Sequence, residues 1–275
     1  MIITIDTGGT KTLIAGFSER GKILAKTKFP TPKQPKKYIN AISENLKDLF
    51  EEYFNQGQVE AISVAMPAVI EEGIVIWAQN LRWRNFDVKS ELQTVFGKKI
   101  PIFVENDANL AGLSEARLLE KPENTVLYLT VSTGIGAGII SENNINRGLR
   151  KSEAGRIIVE YDGSMREWEN FASGKAIFET YGTYVRDITR PKIWLNISDR
   201  ISRGLLVLIP IVQPEIIIIG GSVGSQFEKY GRMLTNIVKD RLPTNIPCPR
   251  IVKAQNPEEA VIYGCYEYAK DQLDK

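Results

Sequence analysis

The chain has 275 residues, 43% apolar and 25% charged, which suits a globular protein of one large domain or two modest ones. Its net charge of +2 gives no electrostatic case for binding nucleic acid or an anionic membrane, and the longest apolar segment, residues 205–212, falls far short of the roughly 20 residues that span a bilayer. Two cysteines and no histidine argue against a structural zinc site and against a disulfide framework. With no signal peptide over residues 1–6, a reducing, cytoplasmic setting is expected.

Residues 2–5 read as a β-branched strand ending in Asp6-Thr-Gly-Gly-Thr-Lys-Thr12. Residues 13–17 resume a strand, so the glycines fall in a hairpin turn. A third strand over 23–29 completes a meander. Ile39, Ile42, Leu46, Leu49, Phe50 and Tyr53 recur at helical spacing and predict an amphipathic helix over 36–54. A strand over 61–65 ends at Met66-Pro67-Ala68, a short hairpin follows over 69–77, and residues 86–96 read as a helix capped by Asp87 or Asn85. Residues 100–104 form a strand-like run that breaks into Glu105, Asn106 and Asp107, and a helical pattern follows through Leu110, Leu113 and Leu118.

After Lys121-Pro-Glu-Asn124 the pattern restarts. A strand over 126–131 leads into Ser132-Thr-Gly-Ile-Gly-Ala-Gly138, with Ile139 and Ile140 beyond it. This matches the opening of the chain: apolar strand, polar residue, Thr-Gly, small residues, second strand. The weak internal repeat predicts a two-lobed, duplicated α/β protein. Residues 147–161 read as loop and strand, and 166–184 as helix broken by Gly174 and Gly182. A long apolar helix over 193–211 follows a cap at Asn196 or Ser198. Residues 213–221 supply a strand buried on both faces, since its apolar run does not alternate. A helix over 227–242, an edge strand over 249–254 and a last helix over 257–273 complete the chain. Gly264 lies midway along that last helix, where only a small residue fits.

Asp107 stands at the carboxyl end of a strand, where open α/β sheets gather ligands. With no histidine in the chain, base chemistry falls to a carboxylate, lysine, tyrosine or water, and Asp107 is the leading candidate. The two glycine turns are neither P-loops nor dinucleotide fingerprints, since no GxxxxGK[ST] occurs and neither opens a helix. Their chemistry would be to bring backbone N–H groups and threonine hydroxyls close to phosphate oxygens. Each alone could be a plain hairpin, but a third glycine pair, Gly220-Gly221, follows a buried strand. Asp6 suits Mg²⁺ held through water.

Taken in order, these pieces resemble the ROK family of sugar kinases and regulators, glucokinase-like members of the actin–hexokinase–chaperone superfamily. The resemblance runs over nearly the whole chain: Asp6–Lys11, Ala65-Met-Pro67, Asn80-Leu81 before Trp83, Glu105-Asn-Asp-Ala-Asn109, residues 132–138, Glu169-Asn-Phe-Ala-Ser-Gly174, residues 214–221 and the Gly264 helix. It implies an α/β fold of two actin-like (ribonuclease-H-like) lobes with a ligand cleft between them. One lobe would span 1–115 together with the C-terminal helix 258–275, and the larger one 116–257. It implies ATP-dependent phosphorylation of a hexose or hexose-derivative hydroxyl, with Asp107 as base and Asn80, Asn106 and Glu169 holding sugar hydroxyls. Gly8, Gly9, Thr10, Lys11, Thr133, Gly134 and Gly136 would contact phosphates, Gly220 and Gly221 the nucleoside end, and Asp6 the hydrated Mg²⁺. Partners would be a sugar and a nucleotide, without nucleic acid or membrane; such folds admit a homodimer, though no patch in the sequence demonstrates one.

The sequence also departs from the family pattern. Where the family carries Ala-Gly-Glu-x-Gly-His, this chain reads Ala154-Gly-Arg-Ile-Ile-Val159, and Met165-Arg-Glu-Trp168 replaces the usual cysteine cluster. The zinc site is thus expected to be lost as a unit. Arg156, in place of a sugar-binding glutamate, is a candidate substrate contact: it could pair with Glu153 or Glu169, or recognise an anionic group. Ala68 replaces a usual glycine. The alternatives to a sugar kinase are a non-catalytic sugar- or nucleotide-binding relative and a superfamily kinase for another polyol or acid. The family's regulator branch is disfavoured because no DNA-binding extension precedes Met1.

Overall fold

A computed structural model describes all 275 residues. The chain divides into two units, one made of Met1–Ser114 and Val261–Lys275, the other of Glu115–Ala260.

The first unit opens with β1 (Ile2–Thr7), β2 (Lys11–Phe17) and β3 (Ile23–Pro30), then α1 (Pro35–Asn55) and β4 (Ala61–Met66). A small antiparallel sheet of β5 (Val69–Glu71), β6 (Ile74–Ala78) and β7 (Trp83–Asp87) precedes α2 (Val88–Phe96), β8 (Ile102–Asn106) and α3 (Asp107–Arg117). The main sheet has the order β3-β2-β1-β4-β8, antiparallel through the meander and parallel from β1 to β8. Alternation along β1 sends Ile3 and Ile5 to one face, against Tyr38, Ile42 and Leu46 of α1, and Ile2 to the other. That second face is covered by Ile262, Tyr266 and Ala269 of the C-terminal helix (Ala260–Leu273).

In the second unit come β9 (Thr125–Val131), β10 (Ile135–Ser141), β11 (Asn144–Ile145), β12 (Ile158–Tyr161) and β13 (Ser164–Glu167). They are followed by α4 (Glu169–Ala172), α5 (Gly174–Tyr181), α6 (Pro191–Val212), β14 (Ile216–Gly220), α7 (Gly221–Gly224), α8 (Gly231–Arg241) and β15 (Arg250–Lys253); the C-terminal helix is α9. The main sheet, β11-β10-β9-β14-β15, repeats the first: an antiparallel meander, then two parallel strands. Leu127, Leu129, Ile217 and Ile219 share a core with Ile201 and Leu205 of α6 and Leu234 and Val238 of α8. Burying side chains of this size contributes about 1.5–3 kcal/mol apiece. No helix is long and apolar enough to cross a membrane.

The structure corrects four local readings. Phe86 and Asp87 belong to β7, because Phe86 pairs with Val75 and its ring meets Trp83 edge-on. The helix therefore starts at Val88, with Asp87 as its cap, accepting the Ser90 N–H at 2.9 Å. The long helix begins at Pro191 rather than after Asn196 or Ser198. Proline at the first helical position loses only an N–H that would be unsatisfied there anyway, and the Ser198 hydroxyl donates back to the Trp194 carbonyl at 2.9 Å, inside the helix. Residues 158–167 form a hairpin whose Asp162-Gly163 turn has positive φ at both residues, so helix starts only at Glu169. In the 227–242 stretch the α-helix is confined to Gly231–Arg241, preceded by a 3-10 turn over Phe227–Lys229.

Candidate functional site

In the first unit the parallel strands end level with one another: Asp6 pairs with Ala65, Ala65 with Glu105, and Met66 with Asn106. The carboxyl edge of this sheet therefore carries Asp6, the Ala65-Met-Pro67 turn and Asp107 side by side. Asp6 and the β8 end are two strands apart, roughly 10 Å.

Glu105, Asn106 and Asn109, which flank Asp107 in sequence, are each committed to fixed hydrogen bonds. Glu105 is buried, and its Oε1 accepts from the Asn106 backbone N–H at 2.8 Å and from Asn109 Nδ2 at 3.1 Å. The Asn106 Oδ1 accepts from the N–H groups of Ala108 (2.9 Å) and Asn109 (3.1 Å), which caps α3, while its Nδ2 donates to the Ala68 carbonyl at 3.1 Å. Asp107 is the first residue of the helix, half-buried, with Oδ1 accepting from the Ala108 N–H at 2.9 Å. A carboxylate there is favoured by the helix dipole. Asn106, expected as a sugar contact, is thus first of all a helix cap and has one amide N–H engaged by Ala68.

The first glycine turn joins β1 to β2. The Gly8 N–H donates to the Lys11 carbonyl at 2.9 Å, and a Cβ at Gly8 would meet that oxygen at 2.8 Å. Thr31 Oγ1 donates to the Gly8 carbonyl (2.8 Å) and Lys33 Nζ to the Gly9 carbonyl (2.6 Å). Both carbonyls, which would repel an anion, are therefore covered. Thr10 and Lys11 are exposed, and Asn80 lies against Gly9, its Cβ 3.2 Å from where a Gly9 Cβ would stand. Trp83 Nε1 donates to the Lys33 carbonyl at 2.7 Å, and Tyr38 joins Trp83 edge-on and bonds the Thr7 hydroxyl at 2.6 Å. The bracing by Thr31, Lys33, Tyr38 and Trp83 was not legible in sequence, because it comes from residues 20 or more positions away.

Asp6 is partly buried, and burial pushes its pKa up to about 6, only partly offset by Lys28. Beneath it the Cys265 thiol is fully buried; burial first, and Asp6 second, push that thiol's pKa up. A carboxylate kept this short of compensating charge fits a hydrated divalent cation, which needs only one or two protein oxygens.

In the second unit the turn between β9 and β10 is closed by the Ser132 N–H donating to the Gly134 carbonyl at 2.9 Å. Glu169 backs this turn: its Oε2 accepts the Ile135 N–H at 3.3 Å, and a Cβ at Gly134 would sit 2.8 Å from that oxygen. Arg156 holds the other carboxylate oxygen at 3.2 Å and reaches Glu167 at 2.5 Å. Partial burial opposes the guanidinium charge, but Glu167, Glu169 and Glu153 together hold it above its ordinary range. Burial pushes the Glu153 carboxyl up, with Arg156 pulling against it. Of the partners left open by the sequence, Arg156 takes Glu169, and adds Glu167, which the hidden β12–β13 hairpin brings alongside. Trp168 anchors the segment: it is fully buried, donates from Nε1 to the Arg200 carbonyl at 3.1 Å, and packs flat on Gly204, where a Cβ would come within 2.1 Å of the ring.

The turn at Thr133, the Gly174 helix start and the Gly221 loop meet at one cavity of about 620 Å³, also lined by Lys175 and Ser222. The Gly174 N–H donates to the Ser132 carbonyl at 2.6 Å. Gly221 has φ of +77°, and a Cβ there would meet the Val131 carbonyl at 2.6 Å, while one at Gly220 would strike the Tyr128 hydroxyl. Both glycines are thus demanded by close approach. Gly136 is carried on β10, opposite Thr130.

A Bacillus subtilis (strain 168) protein described provisionally as a fructokinase is 30% identical over 259 residues, covering 87% of this chain and 83% of its own. The xylose repressor of Bacillus spizizenii (strain ATCC 23059 / NRRL B-14472 / W23) is 27% identical over 64% of this chain and 51% of its own. The crystal structure of a ROK family glucokinase from Streptomyces griseus, in complex with glucose and AMPPNP, superposes with a TM-score of 0.82 at 24% identity, covering 98% of this chain and 99% of that one. The sequence profile of the ROK family matches residues 2–272, and the chain belongs to that family.

Proposed function

We propose that the chain transfers the γ-phosphoryl group of ATP to a hydroxyl of a hexose or hexose derivative. The observation that carries this reading is the arrangement around Asp107: Glu105, Asn106 and Asn109 fix the helix start and set one carboxylate at the sheet edge that also carries Asp6. Asp107 accepts the proton of the attacking hydroxyl as the oxygen–phosphorus bond forms and the bond to ADP breaks. Phosphoryl transfer is mostly positioning and charge neutralisation, so a carboxylate that orients the nucleophile suffices as base.

Asn80, Asn106 and Glu169 bind the sugar hydroxyls in this reading. Thr10, Lys11, Thr133, Gly134 and Gly136 take the phosphates, and Gly220 and Gly221 the nucleoside end. Asp6 would hold a hydrated Mg²⁺, which would supply neutralisation of the phosphate charge. Arg156 serves Glu169 rather than an anionic substrate, since both of its observed partners are carboxylates of the chain itself. The site is proposed to work without zinc. Cys248 and Cys265 are free thiols, in keeping with the proposed cytoplasmic setting.

A second reading, a sugar- or nucleotide-binding protein without turnover, is favoured by the Arg156–Glu169 pair, which occupies part of an expected sugar contact, and by the similarity to a xylose repressor. ADP release measured with Mg-ATP against a panel of hexoses, N-acetylhexosamines and polyols separates the two. Turnover on at least one hexose is expected; ATP binding with no turnover on any member would select the second reading.

A further inference from the structure

The turn between β9 and β10 is gripped at both ends by one short stretch of chain. The Ser132 carbonyl accepts the Gly174 N–H at 2.6 Å, and the Ile135 N–H donates to Glu169 Oε2 at 3.3 Å. Glu169 opens α4 and Gly174 follows it, so this single helical turn spans the loop that carries Thr133 and Gly134. The two grips are unequal. The bond at Ser132 is short and made by backbone, whereas the bond at Ile135 is long and depends on where one side chain sits.

That side chain has little freedom. Cβ atoms at Gly134 and Gly155 would come within 2.8 and 3.1 Å of its Oε2, and its Oε1 is held by Arg156 Nη1 at 3.2 Å. The same Nη1 reaches Glu167 at 2.5 Å, and Glu153 adds a third carboxylate to the surroundings of the guanidinium. Three carboxylates thus share one cation. Without Arg156, Glu169 would face like charge from the side on which it is now held. We propose that Arg156 is a positioning residue of the phosphoryl-donor site: by holding Glu169 it keeps the Ile135 N–H bonded and the Thr133-Gly134 turn in the shape that receives phosphate. The inference rests on the nucleotide reading above and deepens it, giving Arg156 a part in donor binding without contact to the donor. Residues 154–156 lie alongside the turn they serve, since a Cβ at Gly155 would stand 2.3 Å from the Ile135 carbonyl oxygen. A turn of this kind attracts an anion only while its N–H groups are held in place.

The test is calorimetric titration of ADP with Mg²⁺, without sugar, so that catalysis plays no part. Arg156→Met, which removes the charge and keeps the length, is expected to weaken ADP binding about three- to tenfold. Arg156→Lys, which keeps the charge, is expected to stay within about twofold of wild type. Glu169→Gln should lose as much as Arg156→Met, because one amide oxygen cannot serve both the guanidinium and the Ile135 N–H. Adding Arg156→Met to Glu169→Gln should then cost less than about twofold more, as two residues acting in series do. Wild-type affinity in Arg156→Met would overturn the positioning role and leave the kinase reading standing, as would a full further loss in the double variant. Should Arg156→Met not fold, Glu169→Gln decides alone: wild-type ADP affinity there overturns the role, and a three- to tenfold loss upholds it. Absence of ADP binding to the wild-type chain at millimolar concentration would overturn the nucleotide reading and this inference together.

Discussion

Asp6 is the last residue but one of a strand whose other residues are buried, and its carboxyl is lifted to about 6 by burial. The linkage sign is the reverse of the usual aspartate. A carboxyl whose folded pKa exceeds its unfolded value binds its proton more tightly in the folded state, so its ionisation opposes folding. The penalty is absent below the ordinary value near 3.8, grows between about 4 and 6, and is complete above 6. At 1.36 kcal/mol per pKa unit it reaches about 3 kcal/mol at most. We predict that Asp6→Asn raises unfolding free energy at pH 7 by about 2–3 kcal/mol, and that the gain shrinks towards zero near pH 3.5, measured by urea denaturation. A gain that did not change with pH would show that the carboxylate is not destabilising in the fold. Perturbed carboxylates that lower stability are characteristic of functional sites, which accords with a role for Asp6 in binding a cation. At the same scale, Arg156 shows where sequence reading stops. Its partners in sequence were Glu153 and Glu169, but Glu167 comes within 2.5 Å only because the chain turns back at Asp162-Gly163.

Gly264 decides how closely two helices approach. A Cβ at this position of α9 would stand 1.9 Å from the carbonyl oxygen of Leu110 in α3. The obstacle is backbone, so no rotamer change relieves it. Alanine would add about 1 kcal/mol of helix propensity, while overpacking against a rigid neighbour costs about 1–3 kcal/mol or more. The clash wins. Gly264→Ala is therefore predicted to lower stability by about 2 kcal/mol net, and to reduce turnover further by moving α3, whose first residue is Asp107. Thermal unfolding with a midpoint unchanged from the parent would contradict this. Elements of this kind were legible wherever apolar periodicity or glycine decided them, as with α1, β14 and the two glycine turns. The start of α6 was legible to within two residues, at 193 against Pro191, but its cap was not: Asn196 and Ser198 are cap-forming residue types that lie inside the helix. Of the β12–β13 hairpin, the strand up to Tyr161 was legible, while β13 was not, because the helical pattern over 166–184 overlaps its last two residues.

The whole chain carries one topology twice. Each main sheet is an antiparallel meander continued by two parallel strands, and each opens with a glycine-turned hairpin. The repeat was visible in sequence as a strand, Thr-Gly turn and strand in matching places, because glycine turns leave a signature that drifting apolar positions do not. Within the candidate site, strand ends and glycine turns were legible for the same reason. The braces around them were not, since Thr31, Lys33, Tyr38 and Trp83 act through contacts distant in sequence. The departure at Ala154-Gly-Arg156 was legible as a change of charge, but its consequence, an arginine bound to Glu169, required the fold. On this account the duplicated scaffold serves phosphoryl transfer to a sugar, with Asp107 as base, and that claim is tested most directly by Asp107→Asn. The amide keeps the oxygen that accepts the Ala108 N–H but cannot take a proton from the sugar hydroxyl. Turnover on the best hexose is predicted to fall by about 10²- to 10⁴-fold, with ADP affinity unchanged within about twofold, as read by coupled ADP release and calorimetry. An Asp107→Asn enzyme that turned over at the wild-type rate would contradict the account.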